Sequence, residues 1–494
     1  SILRTKPSLY RRAILPNMDI SIDRSGKTPA YRQVYLQIRK DIESGSLKAG
    51  DKLPKIRDLA HDLGIARNTV EAAYKQLSIE GYAFGKRGTG YIVEELNLSI
   101  LDACRASENA DDDPRSSRDA RPRREPLGNS FGCTYVFSYG NRTSDKLPIS
   151  TLKTLIDRTL SQEDLTEAAS YIDPYGLPDL RRQFSSHLHK TRDIVCSYEQ
   201  VILQPGTQAA LHKIVSVFRH DKRPIALENP GYNAARKVFE ERAEAITPIP
   251  VSKGQDAFID ALRASNAKLV FLTPSKQFPL GFIMPLSTRL KVIEWARETD
   301  AYIIEDDYCY EFRYNSQPVP SLRSLDPDHV IYLGTMSKVF TPAIRISFIV
   351  LPKKLQRHWD ESSRFDFCSL PWLSQKTLAL FMASDAWRRY VRTTVAMYKK
   401  RHDLLVKSIE REMGDKVTVM GVDAGLHLLL GDNEGRDQNE LINLARENDV
   451  RVYGTSGFWA EESHPMRNFV LIGYSGIQDE LIPAGISKLA HAWY

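Results

Sequence analysis

About a fifth of the way along the 494-residue chain lies a stretch that no hydrophobic core can accept. Glu108-Asn-Ala-Asp-Asp-Asp-Pro-Arg-Ser-Ser-Arg-Asp-Ala-Arg-Pro-Arg-Arg-Glu-Pro126 contains no bulky apolar side chain. It has nothing to bury against the entropy cost of ordering, so residues 97–129 read as a flexible linker. Its acidic first half and basic second half nearly cancel, as in a solvated tether. The chain must therefore fold as two bodies, a head at 19–95 and a body at 133–494. Residues 1–17 read as a leader, with Met18 a candidate start.

The charge is as unevenly divided as the apolar residues. The whole chain carries a net +6, and its first 95 residues hold 17 Lys and Arg against 11 Asp and Glu. All the excess positive charge is in the head, which suits contact with nucleic acid, while the body is neutral. Five cysteines lie far apart with no CxxC or Cys/His spacing, which argues against a disulfide framework and a structural zinc. No apolar run approaches the ~18 residues of a membrane helix, and the expected location is the cytoplasm.

In the head, Tyr31, Val34, Tyr35, Ile38 and Ile42 fall at helical spacing and Gly45 follows as a stop. A second short helix carries Ile56, Leu59, Ala60 and Leu63 and ends at Gly64; a third carries Val70, Ala73, Tyr74 and Leu77. Two short helices at a glycine-containing turn are the mark of a helix-turn-helix. Tyr82-Ala-Phe84 and Tyr91-Ile-Val93, joined by Gly85-Lys-Arg-Gly-Thr-Gly90, predict a hairpin wing with a basic tip. Arg67, Asn68 and Thr69 open the third helix and suit base edges in a major groove. Lys55 and Arg57 suit phosphates, and Lys86 and Arg87 on the wing suit phosphates or the minor groove.

In the body, short apolar runs at 224–228, 269–273, 301–305, 330–333 and 346–351 alternate with helical stretches at 209–218, 234–242 and 287–298. That alternation predicts an α/β fold with a mostly parallel sheet covered on both faces. Ligands bind at the strand ends of such sheets. Glu305-Asp306-Asp307-Tyr308 ends one predicted strand, Gly334-Thr-Met-Ser-Lys338 another, and Arg345 opens the next. These residue types match the needs of pyridoxal 5'-phosphate: Lys338 for the aldehyde, Asp306 for the ring nitrogen, Tyr308 for the phenolic oxygen. Gly206-Thr207-Gln208 precedes a helix whose free N–H groups can hold phosphate, with Thr335, Ser337 and Arg345 as further donors.

Lys52-Leu-Pro-Lys-Ile-Arg-Asp-Leu-Ala60, Leu63-Gly-Ile-Ala-Arg-Asn-Thr-Val70 and Arg87-Gly-Thr-Gly-Tyr91 resemble the GntR-type winged helix-turn-helix. The usual serines of that family are replaced by Lys55 and Ala66, so no target sequence carries over. Pro205-Gly-Thr-Gln-Ala-Ala-Leu211, Glu228-Asn-Pro-Gly-Tyr232, Thr273-Pro-Ser-Lys-Gln-Phe-Pro-Leu-Gly281, Ile303-Ile-Glu-Asp-Asp-Tyr308 and Ser337–Arg345 resemble fold-type I aminotransferases. This resemblance implies Lys338 as the coenzyme-bonding lysine, Asp306 at the ring nitrogen and Tyr308 at the phenolic oxygen. It further implies Tyr232 stacked on the ring and Thr207, Gln208, Thr335, Ser337 and Arg345 at the phosphate, with Tyr175 reaching a neighbouring subunit's phosphate.

The two parts in this order resemble the MocR/GabR group of transcriptional regulators. That implies a head-to-tail homodimer whose two heads bind two half-sites of double-stranded DNA. Three departures narrow the function. The arginine that holds a substrate carboxylate falls on Gly476, the arginine expected after Pro-Gly-Tyr is displaced to Arg236, and Phe278 precedes Pro279 where aminotransferases have asparagine. The expected function is therefore a regulator whose signal is pyridoxal 5'-phosphate itself, governing vitamin B6 synthesis. Two alternatives stand beside it: a regulator sensing an amino acid or amine through the coenzyme, and an aminotransferase in which Arg467 substitutes for the missing arginine.

Overall fold

The computed structural model describes residues 12–15, 18–25, 28–86, 88–96, 132–143, 147–162, 165–242, 245–314, 319–461 and 464–494. The proposed linker at 97–129, most of the leader, and Arg87 lie outside them. The chain divides into two compact units, Ser1–Arg124 and Glu125–Tyr494.

The first unit begins with a strand pair, β1 (Arg12–Leu15) and β2 (Met18–Ser21), followed by helix α1 (Ala30–Glu43). Helices α2 (Ile56–Leu63) and α3 (Arg67–Ile79) come next. Val34, Ile38, Leu59, Leu63, Val70, Ala73, Tyr74 and Leu77 interlock in one small core. Gly64 ends α2 in the left-handed region at φ 62°, where its N–H caps the last carbonyls and glycine carries no steric cost. Strands β3 (Ala83–Lys86) and β4 (Gly90–Val93) pair antiparallel as the wing. Tyr74 ties α3 to that wing, its ring edge-on to Tyr91 at 5.2 Å and its hydroxyl donating to Pro54 O at 2.9 Å. A polar network braces the far side: Tyr35 donates to Glu80, Tyr82 donates to Glu43, and Arg39 bridges Glu43 and the Tyr35 hydroxyl.

The second unit opens with the two-residue strand β5 (Tyr135–Val136) and then builds a seven-stranded sheet. Its strands are β6 (Val201–Gln204), β7 (Ile225–Asn229), β8 (Ile246–Pro250), β9 (Leu269–Leu272), β10 (Tyr302–Asp306), β11 (Val330–Thr335) and β12 (Ser347–Val350). They lie in the order β6-β12-β11-β10-β9-β7-β8. The β7–β11 and β8 pairings are parallel, and β12 runs antiparallel to both its neighbours. Successive residues feed opposite cores: Val270 and Leu272 face one, Leu269 and Phe271 the other. A sheet sandwiched this way needs strands apolar throughout, which is why they read as unbroken runs.

Beyond β12 the alternating pattern stops. A second sheet, β13 (Val417–Met420), β14 (His427–Asp432), β16 (Tyr453–Gly454) and β17 (Phe469–Gly473), is antiparallel in the order β13-β14-β17-β16. The helices Asp385–Met413 and Leu481–Trp493 pack against one another beside it. The short strand β15 (Val450–Arg451) pairs parallel with β5, so the start and the end of the second unit close on each other. The α/β expectation holds for the large sheet; the C-terminal part is α+β. Among the described residues no helix is long and apolar enough to cross a membrane.

Candidate functional site

A cavity of about 250 Å³ opens at the strand ends of the large sheet. Thr207, Gln208, Tyr232, Asp306, Tyr308, Thr335, Ser337, Lys338 and Arg345 all line it. The nine residues expected around the coenzyme within one chain are thus brought together from five separate stretches.

One wall is a helix start. Gly206 precedes the helix Thr207–Val217 at φ 97°, and no side chain caps that terminus, which leaves its first N–H groups directed outward. A Cβ on Gly206 would overlap the Arg345 guanidinium, so the glycine is what lets Arg345 lie across the helix end. Arg345 does not open β12 as expected. It stands two residues earlier in the left-handed region at φ 53°, a conformation that turns it back toward Gly206.

Lys338 also differs from its expected placement at a strand end. It sits on a single helical turn, Met336–Val339, that follows β11 and is capped by the Thr335 hydroxyl accepting from Ser337 N at 3.2 Å. Its ammonium lies 3.9 Å from the centre of the Tyr139 ring. Burial pushes the amine down to about 8, a value at which a useful fraction is the neutral nucleophile near pH 7. Gly140, at φ 92°, gives Lys338 room, because a Cβ there would stand 3.1 Å from the amine.

Asp306 is the last residue of β10, and its Oδ1 is buried with no hydrogen-bond partner. Burial and the neighbouring Asp307 charge push this carboxyl up to about 8, against the pull of Lys338. Asp307 points away to a separate partner set, accepting from Arg192 Nε at 2.7 Å and from the Tyr332 hydroxyl at 3.0 Å. Two adjacent carboxylates therefore have different tasks: Asp307 is spent on structure and Asp306 is left open. Behind Asp306, Glu228 accepts from Thr273 Oγ1 at 2.5 Å, and burial pushes it up to about 7.

Tyr308 lies past the end of β10 in a turn, not on the strand as expected, and reaches the cavity from there. Its hydroxyl donates to Lys276 O at 3.0 Å. Tyr175 does not line the cavity; its hydroxyl donates to Asp360 Oδ1 at 2.8 Å and Arg181 lies over its ring. Sequence reasoning missed Tyr139, Gly140, Thr273 and Pro342 as lining residues. Ser138-Tyr-Gly140 follows a strand of only two residues, too short to announce itself by periodicity.

The cavity has few charges for a carboxylate. Among the described lining residues the cations are Lys338 and Arg345. At Gly476 a Cβ would sit 3.0 Å from Ser138 Oγ and 3.3 Å from Asn141 Cβ, so any larger side chain there would press on these neighbours. Arg236 donates to the carbonyls of Trp459 and Phe458, both at 2.6 Å. Arg467, the substitute considered in the aminotransferase alternative, lies 3.6 Å from Asp437 and is not among the lining residues. Phe278 fills the opposite wall, edge-on to Tyr232, Tyr308 and Phe458.

On the first unit, Lys55, Arg57, Arg67, Asn68 and Lys86 are exposed and Thr69 is half-exposed. They occupy the starts of α2 and α3 and the wing. Neither helix start carries a side-chain cap, since Lys55 and Ala66 stand at the cap positions. Their N–H groups are therefore free for an anion such as a phosphate.

Residues 30–93 match the model of the gntR family of bacterial regulatory proteins, and residues 134–465 that of aminotransferase class I and II. The chain is 33% identical to the HTH-type transcriptional regulator YdeL of Bacillus subtilis (strain 168), over 96% of this chain and 100% of that protein. It is 31% identical to the probable rhizopine catabolism regulatory protein MocR of Rhizobium meliloti, over 96% of this chain and 95% of that one. With the HTH-type pyridoxine biosynthesis transcriptional regulator PdxR of Corynebacterium glutamicum it shares 26% identity over 97% and 99%. Among solved structures, an archaeal alanine:glyoxylate aminotransferase superposes with a TM-score of 0.65 at 26% identity, covering 72% of this chain and 90% of that one.

Proposed function

The chain belongs to the MocR/GabR group of GntR-type transcriptional regulators, and we propose that it binds pyridoxal 5'-phosphate at Lys338 and responds to the coenzyme itself. The observation that carries this reading is the pairing of a buried, unpartnered Asp306 oxygen with a buried lysine, in a cavity whose one arginine among the described lining residues, Arg345, lies at the helix start assigned to the phosphate. When bound, the coenzyme supplies an aldehyde that a primary amine captures and a ring nitrogen that a carboxylate keeps protonated.

Each residue has a task in that binding. Lys338 presents its amine from a capped turn. Asp306, whose Oδ1 lacks a partner, would accept a hydrogen bond from the protonated ring nitrogen and so keep it charged. Tyr232 packs against the ring plane. The N–H groups at Thr207 and Gln208, with Thr335, Ser337 and Arg345, hold the dianionic phosphate. In the first unit, Arg67, Asn68 and Thr69 read base edges, while Lys55, Arg57 and Lys86 grip phosphates. A homodimer presenting two heads reaches two half-sites, and the genes it governs are those of vitamin B6 synthesis, as the name of the PdxR relative suggests.

An amino-acid effector or a transaminase would need a cation facing the ligand carboxylate, and the arginines that relatives would use are absent at Gly476 or engaged elsewhere at Arg236 and Arg467. The test is a footprint and affinity measurement on the protein's own upstream DNA, with and without pyridoxal 5'-phosphate, for wild type and Lys338→Ala. The coenzyme can move the DNA equilibrium only by its differential affinity for two arrangements of the protein. A shift in the wild type that Lys338→Ala abolishes supports the reading; identical DNA affinity and footprint in all four cases refutes it.

A further inference from the structure

The rim of the cavity is stitched together from two distant segments. Tyr232 sits in the turn after β7, and that turn is gripped by residues 458–461 from the connection between β16 and β17. Asn229 Oδ1 accepts from Ala460 N at 2.9 Å, and Asn229 Nδ2 donates to Glu461 at 3.2 Å. Gly231 N donates to Phe458 O at 2.9 Å. Arg236 completes the seam with both of its terminal nitrogens, one on each of two successive carbonyls. A planar guanidinium spans two acceptors in this way, where an ammonium would satisfy them only as a point charge.

The gripped segment has further ties of its own. Thr455 N donates to Gln438 Oε1 at 2.6 Å, and the Trp459 ring stacks on His464 at 4.7 Å. Phe458 meets Phe278 edge-on at 4.9 Å, and Phe278 lines the cavity. The seam therefore fixes both the ring-facing Tyr232 and the wall-forming Phe278.

We propose that Arg236 is a positioning residue that locks residues 458–461 against the turn carrying Tyr232 by holding the Phe458 and Trp459 carbonyls, and thereby fixes the Tyr232 and Phe278 walls of the cavity. This rests on the coenzyme reading given above only for the ligand; the lock itself is a property of the chain.

The experiment is hydrogen exchange on the full-length protein, following the Gly231 and Ala460 amides, together with the rate at which bound pyridoxal 5'-phosphate is released. Arg236→Met keeps the apolar stem and removes both donors, and Arg236→Lys restores a charge with poorer geometry. Arg236→Met is expected to speed exchange at both amides by roughly tenfold or more, since two charge-assisted hydrogen bonds are lost. Coenzyme release accelerates with it, and Arg236→Lys recovers part of each. Unchanged exchange in a folded Arg236→Met protein overturns the lock. Faster exchange with unchanged coenzyme release overturns the claim that the seam governs the cavity. Should Arg236→Met fail to fold, Arg236→Lys alone is compared with wild type on the same two amides and the same release rate, and unchanged values there overturn the proposal. A wild type that takes up no coenzyme refutes the binding reading alone, because the exchange comparison stands without it.

Discussion

Replacing Asp306 by asparagine separates the demands of binding from those of folding. In the coenzyme-free protein this carboxyl is buried, unpartnered at Oδ1 and pushed up to about 8 from an ordinary value near 4. A carboxyl that holds its proton more tightly in the fold than in the unfolded chain costs nothing below the unfolded value. It then weakens the fold progressively as pH rises toward the folded value. At ~1.4 kcal/mol per unit, the three units between pH 4 and pH 7 amount to roughly 4 kcal/mol as an upper bound. A neutral asparagine escapes that cost but buries an amide without partners, at about 1–3 kcal/mol. The balance favours Asp306→Asn by about 1–3 kcal/mol at pH 7, enough to raise the melting temperature of the second unit by a few degrees. Calorimetry of coenzyme-free protein between pH 5 and 7.5 checks this: the gain should grow with pH, and added coenzyme should stabilise wild type but not the variant. A variant that melts no higher than wild type at pH 7, or a difference that ignores pH, would refute the reasoning.

Gly206→Ala places a methyl group where the Arg345 guanidinium lies and strains a residue at φ 97°; equilibrium dialysis with pyridoxal 5'-phosphate should show affinity falling at least tenfold. Lys86→Ala should weaken DNA binding evenly across sequences and reduce the slope of log affinity against log salt by about 1, whereas Asn68→Ala should cost about 1–3 kcal/mol on the true site and relax its specificity. Lys276 is buried and donates to the carbonyls of Gly421, Ala424 and His427; Lys276→Met leaves all three facing an apolar tip and should lower stability by about 3 kcal/mol or more in urea unfolding.

The legible parts of this molecule are those whose cause is local. The spacing of Val34, Ile38 and Ile42, and the stops at Gly45 and Gly64, need only a few neighbouring residues to be understood, so the three helices of the head could be placed from the sequence. The apolar runs of β9 to β11 carry their own signal because both faces are buried. What escaped depends on partners far along the chain. Tyr139 faces Lys338 across nearly two hundred residues, and Arg236 meets Phe458 and Trp459 across more than two hundred. The edge of the antiparallel C-terminal sheet and the β5–β15 pair were hidden for a related reason: β5, β15 and β16 are two residues long, and the pairing of β16 with β17 and of β15 with β5 exists only in three dimensions.

The reversal of β12 has a consequence for how such a pocket can age. Thr335 at the end of β11 and Ser347 at the start of β12 occupy opposite places on one rung, joined by a hydroxyl bond of 3.1 Å. Lys338 and Arg345 therefore ride on a single handle whose two ends are bolted side by side to the sheet. Rearrangements elsewhere can strip away whatever once gripped a substrate without altering the span between amine and guanidinium. The interval between the two cations is thus a property of one strand pair, insulated from changes in the walls around them.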